Sequence, residues 1–294
     1  MWQPVTLPYR SENAPLLPTA NEIRRCRQVL GERSAVKIVA VSEQVVVKFG
    51  GALDVSEGQA LIYLEQHVPD VPAPRLHAMY YDCMQLFLVM ERVPGVRLDT
   101  IWTSLTDIEK ESITARLCRI FNSMKRAECP SPNFYGGLDG GSLRHYLFHK
   151  YASYEHLGPF YSEADLIASL VGNFRLRVEY HDRPDYKARF YEKHLSSVLR
   201  NHRPTLTHGD VQRQNSMVAK IPSDMNETGE QSFQITLLDW KRAGWYPDYW
   251  ELFCTSSLFD MVYWEEDWCW LVERFLQVHP AEVVMMMMFD KDMR

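Results

Sequence analysis

In the stretch THGDVQRQN, Asp210 and Asn215 stand with four residues between them, and a second acid, Asp239, closes the apolar run ITLLDW. A loop aspartate, an asparagine at that spacing and a strand-ending aspartate make up the side-chain set of phosphoryl transfer. The first aspartate accepts the proton of an acceptor hydroxyl, while the asparagine and second aspartate hold Mg²⁺ on nucleotide phosphates. That reaction is carried mainly by positioned metal and charge, which is why it needs these groups. Upstream, Lys48 lies inside the apolar strand VVVKF, and Glu57 follows nine residues later on the first turn of a helix. Taken singly, the lysine reads as solvent-facing and the glutamate as a favourable charge at a helix N-terminus. Taken together, they match a strand lysine and helix glutamate that orient the α- and β-phosphates of a nucleotide.

Elements must position these groups. The β-branched runs 35–41 and 45–49, separated by Ser42–Gln44, predict a two-stranded hairpin. Residues 54–66 carry helical spacing at Val55, Leu61, Ile62 and Leu64 and stop before Pro69, Pro72 and Pro74. Residues 86–90 (LFLVM) predict a buried strand and 91–95 a turn, so the first ninety residues read as a small sheet with one helix. Thr106 and Glu109 fit a capping box, followed by Ile113, Leu117, Ile120, Phe121 and Met124 on one face of a long helix. Segments 162–175 and 184–199 predict further helices. Segments 217–221 and 233–238 predict paired strands joined by a polar, mobile loop, and 248–259 and 264–278 predict closing helices. The methionine run 285–288 fits an apolar terminal helix or a frayed end, and no internal repeat is present.

Composition bounds the function classes. The chain has 294 residues, 46% hydrophobic and 24% charged, with a net charge of −6. These are the proportions of a soluble globular protein. The negative balance disfavours a general affinity for nucleic acid, and no apolar run approaches the ~20 residues of a membrane-spanning helix. The start MWQPVTLPYRSEN lacks the basic-then-apolar pattern of a signal peptide. Six scattered cysteines without a CxxC pair imply reduced thiols and a cytoplasmic location.

The markers VVVKFG (45–50), LFLVMERVPG (86–95), GPFYSEADL (158–166), LTHGDVQRQNSMV (206–218) and LLDWKRAGWYPDYWEL (237–252) occur in a single order over roughly residues 30–260. In these the chain resembles the aminoglycoside phosphotransferase family, particularly its fungal-type branch with a protein-kinase-like fold. The resemblance implies an α+β, two-lobed fold. An extension at 1–29 precedes a β-rich nucleotide lobe at 30–93, and a mainly helical lobe at 94–294 carries the catalytic loop, metal site and acceptor-binding helices. It implies Asp210 as catalytic base, Asn215 and Asp239 as Mg²⁺ ligands, Lys48 on the phosphates of ATP and Glu57 orienting Lys48. Glu91 and Val93 would offer backbone groups to adenine beneath Met90, and backbone amides around Ser34 would cap phosphates. His208 would buttress the catalytic loop. Gly209 stands where many protein kinases carry the arginine that reads a phosphorylated activation loop, so that control is not expected.

Two departures from the family pattern stand out: the segment GERSA (31–35) holds one glycine where a glycine-rich loop is usual, and Lys241 replaces an acidic residue after Asp-Trp. Because that position lies beside the implied metal site, a cation there could weaken Mg²⁺ binding or bind phosphate instead; a solvent-directed Lys241 is the simpler expectation. Other signals read as structural. The acidic, aromatic segment 263–267 stands where the family resemblance implies acidic residues that hold cationic sugars, but it fits a solvated helix face better, and Pro247 and Trp250 fit packing. His145 and His149, four apart on one possible helix face, lack a third ligand for zinc. Asn226 heads a glycosylation sequon by letter only. The resulting expectation is a Mg²⁺-dependent, ATP-using small-molecule kinase acting on a hydroxyl. Its partner would be a neutral or cationic acceptor, with neither nucleic acid nor membrane. The alternative is a weakly catalytic nucleotide-binding scaffold of the same fold, favoured by Lys241 and the glycine-poor loop. A protein kinase is disfavoured, because no Ala-Pro-Glu-type activation segment follows Asp239.

Overall fold

The computed structural model of the protein describes residues 2–225, 231–256 and 267–294. In chain order the elements are β1 (Tyr9–Arg10), α1 (Ala20–Arg25), β2 (Val29–Arg33), β3 (Val36–Ala40), β4 (Val45–Gly50), α2 (Ser56–His67), β5 (Leu76–Asp82), β6 (Gln85–Glu91), β7 (Val96–Arg97), α3 (Leu98–Ile101) and α4 (Asp107–Arg126). They continue with β8 (Gly136–Gly137), α5 (Glu163–Tyr180), α6 (Tyr186–Val198), β9 (Pro204–Thr207), β10 (Ser216–Met225), β11 (Gln231–Leu237), β12 (Gly244–Pro247), α7 (Trp250–Ser256), α8 (Trp268–Val272) and α9 (Pro280–Met293). Two compact units result. One holds Gln3–Lys110 and Arg213–Lys241; the other holds mainly Glu111–Gln212 and Arg242–Arg294. Among the described residues, no helix is long and apolar enough to cross a membrane.

The first unit is built on an antiparallel six-stranded sheet in the order β1-β5-β6-β4-β3-β2. Strand alternation sorts β4 into two faces. Val45, Val47 and Phe49 join Val39, Phe87, Val89 and Ile23 of α1 in one core cluster. Lys48 therefore turns to the opposite face, where α2 packs. Gly58 is what lets that helix come close, since a Cβ there would lie 2.5 Å from Met79 Sδ and 3.1 Å from Leu88 Cδ2. The N-terminal segment belongs to this unit as well. Tyr9 and Arg10 pair with β5, and Val5 exchanges two backbone hydrogen bonds with the Gln59 side chain of α2. The unit thus contains a helix, α1, and strands β1, β2 and β5 that local periodicity did not predict. A second sheet, β11-β10-β7, brings 213–241 back to this unit.

The second unit is mainly helical around a short sheet, β8-β12-β9. Its core is aromatic: Trp245, Tyr246, Tyr249, Trp250 and Phe253 are all fully buried. The predicted apolar face of α4 is buried at Ile113, Leu117, Ile120, Phe121 and Met124. At its start, the Thr106 and Glu109 capping box is formed in both directions. The methionine run lies in α9, which seats Met286 and Phe289 in the core. His145 and His149 share no helix face; they flank a single 3₁₀ turn. His145 packs its ring against Trp250, and burial pushes its pKa down to about 3. All six cysteines are free thiols. The second predicted closing helix stops at Val272 and not at 278, while residues 257–266, which hold the end of the first and the start of the second, lie outside the described residues. The sequon at 226–228 and positions 263–266 of the acidic segment lie outside the described residues.

Candidate active site

In the sheet unit, β4 and α2 bring Lys48 and Glu57 together: Lys48 Nζ donates to Glu57 Oε2 at 2.6 Å. The same ammonium donates to Asp239 Oδ1 at 2.8 Å, across 191 positions of sequence. All three side chains are largely buried, with 11%, 5% and 22% of Lys48, Glu57 and Asp239 exposed. The solvent-facing reading of a strand lysine therefore does not hold here. Burial works against the Lys48 charge, but Glu57 and Asp239 outweigh it and hold the lysine pKa above its ordinary value. Burial also pushes the Glu57 carboxyl up, against the attraction of Lys48.

The end of β11 is fastened so that Asp239 reaches this lysine. Leu237 N–H donates to Pro72 O at 2.9 Å, Leu238 N–H to Asn215 O at 2.7 Å, and the Trp240 indole N–H to Leu237 O at 2.8 Å. Asp239 then turns the chain with φ 64°, a left-handed conformation that Asp tolerates better than most residues. Its second oxygen, Oδ2, accepts from Lys241 Nζ at 2.7 Å. Lys241 is therefore paired with the metal-ligand candidate instead of pointing to solvent, and its carbonyl accepts from Ser56 Oγ of α2 at 3.3 Å. Burial disfavours the Asp239 carboxylate, yet Lys48 and Lys241 together hold its pKa down to about 2.

The remaining candidates of this unit lie in its strands and turns. Asn215 ends a 3₁₀ turn directly before β10, and its backbone bond to Leu238 ties it next to Asp239 in the fold. Ser34 and Ala35 form the two-residue connection between β2 and β3, both left-handed at φ 50° and 61°. That is a type I′ hairpin made without glycine or asparagine. At the end of β6, Glu91 gives its N–H to Arg75 O at 2.9 Å, and Met90 is buried. Val93 lies two residues beyond the strand.

Asp210 belongs to the helical unit. Its carboxylate accepts from Gln212 Nε2 at 3.0 Å and lies 3.6 Å from Arg242 Nη1. The His208 ring buttresses the loop by accepting the Asp210 N–H at Nδ1, 3.2 Å away. Gly209 is required where it stands. Its φ is +76°, and a Cβ would come within 3.1 Å of Arg242 Cβ and 3.2 Å of Arg242 O.

One loop-holding residue was not foreseen from the sequence. Glu251, in the first turn of α7, accepts the N–H groups of both His208 and Gly209, at 2.5 and 3.0 Å. It is buried, and burial raises its pKa to about 7 despite those two bonds. The signal was present in YWEL as an acid in an aromatic run, but nothing local tells which amides such an acid will meet.

Comparison with known proteins gives consistent findings. A family model described as "Phosphotransferase enzyme family" matches residues 55–277. None of the curated proteins matches. Among solved structures, the GDP complex of wild-type aminoglycoside 2'-phosphotransferase-IIIa is 15% identical with a TM-score of 0.55, covering 90% of this chain and 83% of that one. A thermostable mutant of aminoglycoside phosphotransferase APH(4)-Ia is 12% identical with a TM-score of 0.57, covering 90% and 87%. The GDP and kanamycin complex of APH(2")-IIIa is 15% identical with a TM-score of 0.51, covering 90% and 84%. At these identities the likeness shows the fold, which is α+β and kinase-like.

Proposed function

The chain belongs to the phosphotransferase enzyme family, and on that premise we propose that it transfers the γ-phosphate of ATP to a hydroxyl of a small molecule. The observation that best supports this reading is the buried set Lys48, Glu57 and Asp239, in which one ammonium serves two carboxylates. Burying three charged groups is expensive and has no packing advantage over apolar residues. A site that must bind phosphates accounts for it.

The donor chemistry suits a hard divalent cation, because Asn215 offers an amide oxygen and Asp239 a carboxylate. Mg²⁺ held by these two residues would supply neutralisation of the charge on the transferring phosphoryl group. Lys48 would bind phosphate oxygens of the nucleotide, with Glu57 fixing its direction. Asp210 would orient the acceptor hydroxyl and take its proton. As the new O–P bond forms, the bond from the γ-phosphorus to its bridging oxygen breaks and ADP leaves. Glu91 and Val93 would offer backbone groups to adenine, and the amides around Ser34 would meet the phosphates. Similar structures determined with GDP, ADP or AMP-PNP support nucleotide use. Others in the same group carry hygromycin B, kanamycin or streptomycin. With the net charge of −6, they favour a hydroxyl-rich, neutral or cationic acceptor.

The test is Mg²⁺-dependent ATP turnover across a panel of hydroxylated and amino-sugar compounds, with Asp210→Asn alongside. The expected result is an acceptor-stimulated rate that falls at least ~100-fold in Asp210→Asn while nucleotide binding persists. Equal inertness of both proteins on every compound, with nucleotide still bound, would instead support the scaffold reading.

A further inference from the structure

Within the helical unit, residues from three separate elements meet away from Asp210. His202 precedes β9, Asp248 lies between β12 and α7, and His279 directly precedes α9. One ligand-type atom from each lies within 4.8 Å of the other two. His202 Nδ1 is 2.7 Å from Asp248 Oδ1, and His279 Nε2 is 3.5 Å from the same oxygen. Glu282, in the first turn of α9, brings Oε1 to 3.3 Å from His202 Nε2.

Two observations say that this cluster lacks something. The first concerns hydrogen bonds. His202 is 92% buried, its relative exposure being 8%. Neither its Nε2 nor the buried Nε2 of His279 makes a hydrogen bond. Buried ring nitrogens are normally satisfied. The second concerns charge. Among the described residues, Asp248 and Glu282 have only histidines as ion-pair partners, Asp248 through a hydrogen bond to His202 Nδ1, and no lysine or arginine reaches either of them. Glu163 adds a third carboxylate, used up in accepting the N–H groups of Asn201 and His202. A pocket of carboxylates without a fixed cation is short of positive charge.

We infer that His202, Asp248 and His279, with Glu282 beside them, bind a zinc-class divalent cation that pins the start of α9 to the strand leading into the catalytic loop. Two imidazoles with one or two carboxylates form a donor set for zinc, whereas Mg²⁺ and Ca²⁺ take oxygen ligands. The 3.5 Å between His279 Nε2 and Asp248 Oδ1, and the 3.3 Å between His202 Nε2 and Glu282 Oε1, are each near the spacing of adjacent ligands on a tetrahedral centre with ~2.0–2.1 Å bonds. The 2.7 Å hydrogen bond between His202 Nδ1 and Asp248 Oδ1 is one the cation would lengthen on binding. The frame is already rigid. The His202 backbone is held from one side by Glu163 and from the other by the Tyr135 hydroxyl, which donates to His202 O at 2.6 Å. The Tyr249 ring stands edge-on against the imidazole at 4.8 Å. A metal there would serve stability, because none of its ligands belongs to the phosphoryl-transfer set.

The full chain, stripped with a chelator and dialysed, tests this with zinc and cobalt as probes. The expected result is one equivalent of zinc per chain and a melting temperature raised by about 5 °C at a hundredfold excess over Kd. Cobalt should give the intense visible bands of a tetrahedral site. His279→Asn and the double variant His202→Asn/His279→Asn should lose all three signals, while Asp239→Ala retains them. His279→Asn removes a ring nitrogen that makes no hydrogen bond, so its fold, followed by circular dichroism, should survive. Zinc content no higher than in the double variant, or metal signals lost in Asp239→Ala instead, would overturn the inference.

Discussion

Lys241 Nζ lies 2.7 Å from Asp239 Oδ2, so the carboxylate assigned to a cation is already closed on that side by an ammonium. Lys48 closes the other side at 2.8 Å. A divalent cation at Asp239 must displace at least one of the two, and Lys241, with 46% of its side chain exposed, is the easier to move.

Lys241→Ala should therefore raise the apparent affinity for Mg²⁺. An exposed pair of this kind contributes about 0–1 kcal/mol, so the Mg²⁺ concentration giving half-maximal ATP turnover should fall by up to about fivefold. Lys241→Glu should lower it further. An unchanged Mg²⁺ dependence in both variants would show that the lysine does not compete with the cation.

Acid should act through Asp239. Its folded pKa is about 2, below the ordinary 3.8, so its contribution is present above the unfolded value and is lost as pH falls from about 4 to about 2. The loss amounts to about 2 kcal/mol. Urea unfolding at a series of pH values should show this decline in the wild type and a flatter curve in Asp239→Asn over the same window.

Glu251 works in the opposite sense. Its folded pKa, raised to about 7, lies above the ordinary 4.5, so stability is full below about 4.5 and declines as pH rises through about 7. Glu251→Gln should remove this slope. It also leaves one of the His208 and Gly209 amides without its acceptor, at about 1–3 kcal/mol. Denaturation at pH 5 and pH 8 separates the two effects, and the variant should lose turnover with little change in nucleotide affinity.

The hairpin at Ser34-Ala35 carries two left-handed residues that are not glycine. Ala35→Gly should relieve strain worth about 1–2 kcal/mol, partly offset by greater freedom of the unfolded chain. The net gain should be about 0.5–1 kcal/mol, measured as a higher denaturant midpoint. A lower midpoint would mean that the turn is not strained.

Short-range patterns were legible without a structure. The HGDxxxxN spacing around Asp210 and Asn215, the Thr106 capping box and the alternation of β4 are local, because backbone geometry repeats over two to five residues. Alternation even placed Lys48 on the face opposite Val47 and Phe49. It could not say that the face is buried, since the same pattern serves an exposed strand. The short strands β1 and β7 to β9 carry too few residues for a period to show.

What the chain's letters alone determined was therefore the set of candidate reacting groups and the order in which they occur. The tertiary structure decided which charges meet. It took Lys48 and Asp239 from distant segments, drew Lys241 onto Asp239, gave Glu251 the amides of His208 and Gly209, and gathered His202, Asp248 and His279. Except for Lys241, which is two residues from Asp239, these encounters are set by how sheets and helices pack over long stretches of chain, and no local period encodes a partner that far away.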